Sequence, residues 1–189
     1  MFTESIRTIK ISMSRFNQRK IRQLLRTSDA GNTHVKGKLF EDLVLYLFDK
    51  FSGVRLAERN VLDASGSQEI DLALWNNRVI GPFDILDPIV LCECKNEAPS
   101  LSSARVREFV HKLRTRGASS GILVSSSGIS CQLNGYRYAN SVIMDALSID
   151  GIKVIVIDRN DILSFANTDD MLNNITEKYL QLTIRRTTE

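Results

Sequence analysis

Glu93-Cys94-Lys95 closes the apolar run Ile89-Val90-Leu91-Cys92, and Asp71 lies 22 residues earlier, set among Ile70, Leu72 and Leu74. In an extended strand residues two apart share a face. Glu93 and Lys95 therefore point one way and Cys92 and Cys94 the other, and Asp71 can join the charged pair from a neighbouring strand. A lone Glu-x-Lys is ordinarily a solvated ion pair. Here the run is otherwise continuously apolar, the mark of a central strand covered on both sides. Two carboxylates and an ammonium buried there cost several kcal/mol per ion unless paired or bound to a metal. Such oxygens suit Mg2+, which takes few protein ligands and keeps several waters. An ammonium beside them can orient an attacking water and offset developing negative charge. The chemistry these residue types suit is metal-assisted phosphodiester hydrolysis, with Asp71 and Glu93 as ligands and Lys95 at the nucleophile.

Other candidates carry less. Glu41, in Lys36-Gly37-Lys38-Leu39-Phe40-Glu41-Asp42-Leu43, opens an apolar helix, where a first-turn carboxylate ordinarily serves the helix dipole. Asp42 competes with it, since only one of two successive helical carboxylates can face a site. Lys36 and Lys38 flank the group, either in contact with phosphate or solvated. Cys92 and Cys94 lack the further Cys or His cluster that zinc needs, and packing explains them better. His34 and His111 are single histidines near basic helices. Ser125-Ser126-Ser127-Gly128 lacks a nucleophile elbow and a His partner, and there is no Walker-type phosphate loop.

The 189 residues form one domain by length, enough to bury roughly 70% of the unfolded chain's surface. With 43% hydrophobic and 25% charged residues the composition is that of a soluble globular protein. No apolar run approaches the ~20 residues that span a bilayer, so an integral membrane protein is not expected. Cys92 and Cys94 sit on one strand face, which argues against a disulfide framework and for a reducing, cytoplasmic compartment. The net charge of +3 is uneven. Residues 1–38 carry nine Lys and Arg against Glu4 and Asp29, a net +7 that leaves −4 for the rest. Such a segment suits a nucleic-acid polyanion, and equally a membrane-surface helix or an organelle transit peptide. A secretory signal is not expected, because an apolar h-region is missing.

The elements that must position the charged residues follow from hydrophobic period. Ile6, Ile9, Met13, Phe16, Ile21, Leu24 and Leu25 make an amphipathic helix over residues 4–26, with Arg15, Arg19, Arg22 and Arg26 largely off the stripe. The polar stretch 28–33 ends it, and a core-facing helix runs over 37–51. The period then changes to two, predicting strands over 54–60, 68–75 and 88–95 as an antiparallel meander. A helix over 102–116 has Val106, Phe109, Val110 and Leu113 inside and Arg105, Arg107, Lys112, Arg114 and Arg116 outside. By default that basic face is solvated, but it follows the Glu-x-Lys strand and could flank a bound nucleic acid strand. A strand over 121–125, a helix over 133–147, a strand over 152–157, a short helical turn over 161–165 and a helix over 170–183 complete the chain. Their alternation implies parallel crossovers on the same sheet.

This order of residues resembles the PD-(D/E)XK nuclease superfamily, particularly the restriction-endonuclease-like group around Mrr and the archaeal Holliday-junction resolvases. The resemblance is carried by Gly37-x-x-Phe40-Glu41, Glu69-Ile70-Asp71, Glu93-Cys94-Lys95, the helix after Ser102, the strand Gly121-Ile122-Leu123-Val124-Ser125 and the later strand before Asp161-Ile162-Leu163. It covers about residues 36–165, and its specificity lies in the combination. It implies an α/β, restriction-endonuclease-like three-layer core over 36–189, with a central mixed sheet flanked by helices and preceded by a basic helical arm over 1–35. Asp71 and Glu93 would bind Mg2+, or Mn2+, with the Cys94 carbonyl as a further ligand, Lys95 would position the nucleophile and Glu41 would be an outer ligand. By their charge and placement, apart from the resemblance, Lys36, Lys38, Arg19, Arg22, Arg105, Arg107 and Lys112 are the residues expected to contact nucleic acid. The expected activity is that of a metal-dependent DNA endonuclease of restriction or defence type, acting as a homodimer or with a partner subunit for target recognition. The alternatives are a structure-selective resolvase or repair nuclease, an RNA nuclease, or a non-catalytic binding subunit of the same fold. Two departures from the family pattern stand out. The segment 76–87 lengthens the hairpin between the two metal strands and bears on substrate access, and no separate DNA-reading domain is evident.

Overall fold

The computed structural model describes residues 13–30, 33–78, 81–130 and 139–185. Ile6 and Ile9 of the first apolar stripe, residues 133–138 of the helix expected from 133, and the His34 side chain lie outside what is described.

Five strands form one sheet in sequence order: β1 (Val54–Leu62), β2 (Glu69–Asn76), β3 (Ile89–Lys95), β4 (Ser120–Ser125) and β5 (Lys153–Asp158). The first two neighbouring pairs are antiparallel and the last two parallel. Strand β3 is the point where the direction changes. Consequently the carboxyl ends of β3, β4 and β5 and the amino end of β2 meet at one edge of the sheet. That edge carries Asp71, Glu93 and Lys95. In open α/β sheets this is where binding crevices form.

Helices cover both faces. Register puts Leu72 opposite Cys92 and Arg59 opposite Leu72, so Arg59, Leu72 and Cys92 share one face. Helix α2 (Thr33–Phe48) lies over that face, since Arg59 reaches its Glu41 and Asp42. The other face carries Leu91 and its partner Gly121, and by strand alternation Asp71, Glu93 and Lys95. Helix α3 (Ser103–Thr115) covers it: a Cβ built on Gly121 would lie 2.7 Å from a Leu113 methyl and 2.8 Å from Phe109 Cζ.

Helix α4 (Ala139–Asp145) packs beside α3, and α5 (Arg159–Ser164) and α6 (Thr168–Leu180) follow β5, each opened by a reciprocal capping box, at Asp158 and Asn167. Two turns depend on single side chains. The Asp63 carboxylate accepts hydrogen bonds from the Ser65 hydroxyl and from the backbone of Gln68 and Ser67, which hold its pKa at about 2 and fix the β1–β2 hairpin. In the longer β2–β3 connection the Asn76 amide donates to the carbonyls of Phe83 and Asp87, and Phe83 packs edge-on to Phe51 at 4.8 Å. This segment, expected to bear on substrate access, is plugged into the core at the end of the strands opposite Asp71.

The amino-terminal helix differs from its expected bounds. Residues 14–16 pair as extended chain with residues 166–168, and α1 runs Gln18–Ala30. Asn17 accepts from the Lys20 N–H and so starts the helix, which separates Met13 and Phe16 from it. Of the polar residues expected to end it, those at 28–30 remain helical: Ser28 continues the buried stripe of Ile21 and Leu25 and donates its hydroxyl to the Leu25 carbonyl. Ile21 and Leu25 are buried against α2 and the core.

The Gly121 contact sets how closely α3 approaches the sheet. Phe109 and Leu113 are 1% and 0% exposed, so neither has room to swing away. Gly121→Ala is expected to lower stability by about 1–3 kcal/mol, the range for overpacking, read as a fall of several degrees in melting midpoint. An unchanged midpoint would show that the helix is not held at this distance.

Candidate active site

The β2–β3 ladder is last paired at Leu72 and Cys92, so Asp71 and Glu93 face each other just beyond it. Their side chains fall on the α3 side of the sheet. The Cys94 N–H, left without a ladder partner, donates to Asp71 Oδ2 at 2.6 Å and fixes that carboxylate against β3. The N–H and C=O of one strand residue point to the same edge, so the Cys94 carbonyl is directed toward Asp71 as well. Lys95 bridges the two acids, with Nζ 2.7 Å from Glu93 Oε1 and 3.7 Å from Asp71 Oδ2.

A second ammonium enters from above. Lys112 of α3 places Nζ 2.7 Å from the same Glu93 Oε1. The sequence pattern assigns it to the solvated face with Arg105, Arg107, Arg114 and Arg116. Instead it lies three residues after Phe109 and one before Leu113, on the flank of the buried stripe, and its long stem carries the charge inward. Arg116 also turns in, donating to the carbonyls of Val61 and Gln68. Arg105 and Arg107 stay exposed, the first paired with Glu97 and Glu108.

Glu93 is the centre of this cluster. Its side chain is only 5% exposed; Oε1 takes both ammoniums, while Oε2 is buried with no hydrogen-bond partner. Burial, and then the charge of Glu93, raise the Asp71 pKa above its ordinary value. Burial works to lower that of Lys95, but Glu93 and Asp71 outweigh it and hold the ammonium above its usual range.

Glu41 approaches from the opposite layer. Arg59 pairs with it at 3.4 Å and with Asp42 at 2.7 Å, so the two competing carboxylates share one guanidinium. Burial and then Asp71 raise the Glu41 pKa, which places it within electrostatic reach of the cluster. The structure thus brings together Asp71, Glu93 and Lys95, adds Lys112, and keeps Glu41 beyond them in a separate ion pair. Arg59 leaves no mark in the sequence, because its role depends on how α2 docks on β1. Lys112 leaves a faint one, its place beside the apolar stripe.

Among the described residues no three His, Cys, Asp or Glu side chains form a ready metal-holding group. Two carboxylates with waters and a phosphate are, however, a usual Mg2+ environment. Asp71, the unpartnered Glu93 Oε2 and the Cys94 carbonyl direction fit a hard cation. The thiols do not: burial, and then the Asp71 charge, push Cys92 and Cys94 well above the usual thiol range, so both stay protonated core residues. Lys36 and Lys38 open α2, Lys38 and the α1 residues Arg19 and Arg22 being exposed. No helix among the described residues is long and apolar enough to cross a membrane.

None of the curated proteins compared with the chain matches it. A family model described as Mrr_cat, restriction endonuclease, matches residues 33–165, from the start of α2 to the end of α5 and through every strand and charged group of the site. This chain belongs to that Mrr_cat restriction endonuclease family, a nuclease family of PD-(D/E)XK type whose substrates are nucleic acids.

Proposed function

We propose that the protein is a Mg2+-dependent endonuclease that hydrolyses phosphodiester bonds of DNA. The observation that carries the reading is the Asp71–Glu93–Lys95 group itself: two carboxylates from adjacent strands converge on one buried edge with an ammonium between them. Asp71, Glu93 and the Cys94 carbonyl would hold the cation, which when bound supplies Lewis acidity toward a phosphate oxygen and makes water more acidic. The hydrogen bond from Cys94 keeps the Asp71 carboxylate oriented without a water shell. Lys95, whose ammonium is stabilised by both acids, orients the attacking water and offsets the negative charge that grows on the phosphoryl oxygens. Glu41, tied to Arg59, is an outer carboxylate that steadies the ligand layer. Exposed Arg19, Arg22, Lys38, Arg105 and Arg107, with Lys36, neutralise backbone phosphates. Cutting both strands of a duplex calls for two such sites, which a twofold pair of chains would supply.

Purified protein incubated with linear, circular, branched and single-stranded DNA and with RNA should cut DNA in Mg2+ or Mn2+ and be silent in EDTA. Lys95→Ala should retain DNA binding and lose at least about two orders of magnitude in rate, the scale of removing one donor that stabilises a transition state. Cutting in EDTA, or cutting unchanged in Lys95→Ala, would sink the assignment. Preference for branched DNA or for RNA would instead redirect it to a resolvase or an RNA nuclease, and a wild type inert in every metal to a binding subunit.

The sign of the Asp71 shift gives a test independent of activity. A carboxyl whose folded pKa lies above its unfolded value binds a proton more readily when folded, so the metal-free protein gains stability as pH falls from neutral through the raised value, and ionised Asp71 opposes folding at pH 7. Asp71→Asn is therefore expected to raise the metal-free melting midpoint at neutral pH and to abolish its increase with added Mg2+. A lower metal-free midpoint would contradict this.

Arg19 and Arg22 project from α1 without forming part of its buried face. Replacing both by Ala should leave the melting midpoint in place, weaken binding to all DNA sequences about equally and reduce the salt slope by about 0.9 for each phosphate no longer neutralised. An unaltered slope would remove α1 from the nucleic-acid surface.

A further inference from the structure

Lys112 is the one part of the cluster for which the hydrolytic reading has no use as it stands. It comes from a helix rather than from the strands, it is 17% exposed at the side chain, and it donates to the same carboxylate oxygen that Lys95 already occupies. A second ammonium on Oε1, while Oε2 goes without any partner, is not what hydrogen-bond satisfaction alone would select. Charge balance accounts for it. Asp71 and Glu93 contribute two negative charges; Lys95 alone leaves one uncompensated in a buried place, and Lys112 brings the group to neutrality. A divalent cation arriving at Glu93 makes one of these ammoniums redundant, and Lys112 is the one free to leave. It hangs on a flexible stem at the flank of α3, whereas Lys95 is also within 3.7 Å of Asp71.

We propose that Lys112 is a resident counter-ion of Glu93 that a divalent cation displaces, and that the released ammonium then pairs with a nucleic-acid phosphate, so that metal uptake and substrate binding are coupled through this one side chain. The proposal rests on the metal-dependent nuclease reading above, and its sign is opposite to that of a merely structural lysine. A lysine that only holds the Glu93 carboxylate in place aids metal binding, and its loss weakens it. A lysine that competes with the metal opposes binding, and its loss tightens it. The outer end of the same helix exposes Arg107 and also Arg105, which is paired with Glu97 and Glu108 and lies within electrostatic reach of Glu93. The released ammonium therefore shares its helix with an exposed guanidinium, Arg107, that can meet a neighbouring phosphate.

The test is calorimetric titration of Mn2+ into the 189-residue chain without nucleic acid, comparing wild type with Lys112→Met and Lys112→Arg. Lys112→Met is expected to bind Mn2+ about fivefold more tightly or better, the lower end of usual coupling between two sites. It should also lose the increase in duplex-DNA affinity that Ca2+, used as a non-hydrolytic probe, gives the wild type. Lys112→Arg, which keeps the charge, should stay near wild type in both. Mn2+ affinity that is unchanged or weaker in Lys112→Met overturns the inference alone. A wild type that takes up no metal overturns it together with the nuclease reading. The melting midpoint of each variant, measured in parallel, separates these outcomes from loss of fold, since a folded Lys112→Met with weakened metal binding identifies a structural lysine.

Discussion

The whole candidate site depends on seating the Glu93 carboxylate in a place nearly closed to water. Its side chain is 5% exposed at the end of a strand otherwise lined with Leu91, Cys92 and Cys94. An ion pair at about 4 Å is worth about 4 kcal/mol at the effective dielectric of a protein's outer regions. The desolvation of each partner is of similar size. One ammonium therefore does not by itself offset the burial of both partners, and the fold sets a second on the same carboxylate oxygen. The second requires α3 to lie close on the sheet, which requires position 121 to have no Cβ. A glycine in β4 and a lysine in α3 are in this way parts of one arrangement, although they belong to different layers of the fold.

The two faces of the sheet divide the acidic groups between them. Asp71 and Glu93 lie under α3 with the lysines, whereas Glu41 and Asp42 lie on the α2 side with Arg59. Burial raises the pKa of the Asp71 and Glu41 carboxyls alike, and the Asp71 charge adds to the rise at Glu41 across β2. Change of strand direction at β3 makes this possible. Only there does an antiparallel neighbour bring its amino end beside the carboxyl ends of the parallel strands, so that a side chain near the start of β2 meets two at the close of β3.

The sheet and its covering helices are legible in the amino-acid sequence because their cores obey simple periods: Phe109, Val110 and Leu113 on one helix face, Ile70, Leu72 and Leu74 on alternate positions of β2. The site trio is legible for the opposite reason, as charges that break an apolar run. What cannot be read depends on docking. The inward turn of Lys112 is decided by a few degrees of helix rotation about a stripe it borders, and the Arg59 pair by the distance between α2 and β1. The end of α1 escapes the sequence pattern because Ser28, polar by type, is buried on the same stripe as Ile21 and Leu25 with its hydroxyl on the Leu25 carbonyl. Its start escapes because residues 14–16 pair with the loop before α6, a partner some 150 residues away.

A site balanced in charge cannot by itself draw a polyanion from a distance. Asp71, Glu93, Lys95 and Lys112 sum to zero, and Glu41, Asp42 and Arg59 add a single negative charge, so the edge of the sheet is neutral or slightly repulsive to phosphate at long range. Long-range attraction depends on net charge over a surface rather than on individual pairs. The excess of +7 in residues 1–38, against −4 elsewhere, is the reserve available for it. On the proposed reading, recruitment and chemistry are therefore assigned to different parts of the chain. The basic amino-terminal region raises the local concentration of nucleic acid in a salt-dependent way, and the buried carboxylates act only once a cation has turned their edge positive. The separation has a physical advantage: cations strong enough to attract a phosphate backbone unaided would, if placed within the carboxylate cluster, compete with the metal for the same oxygens.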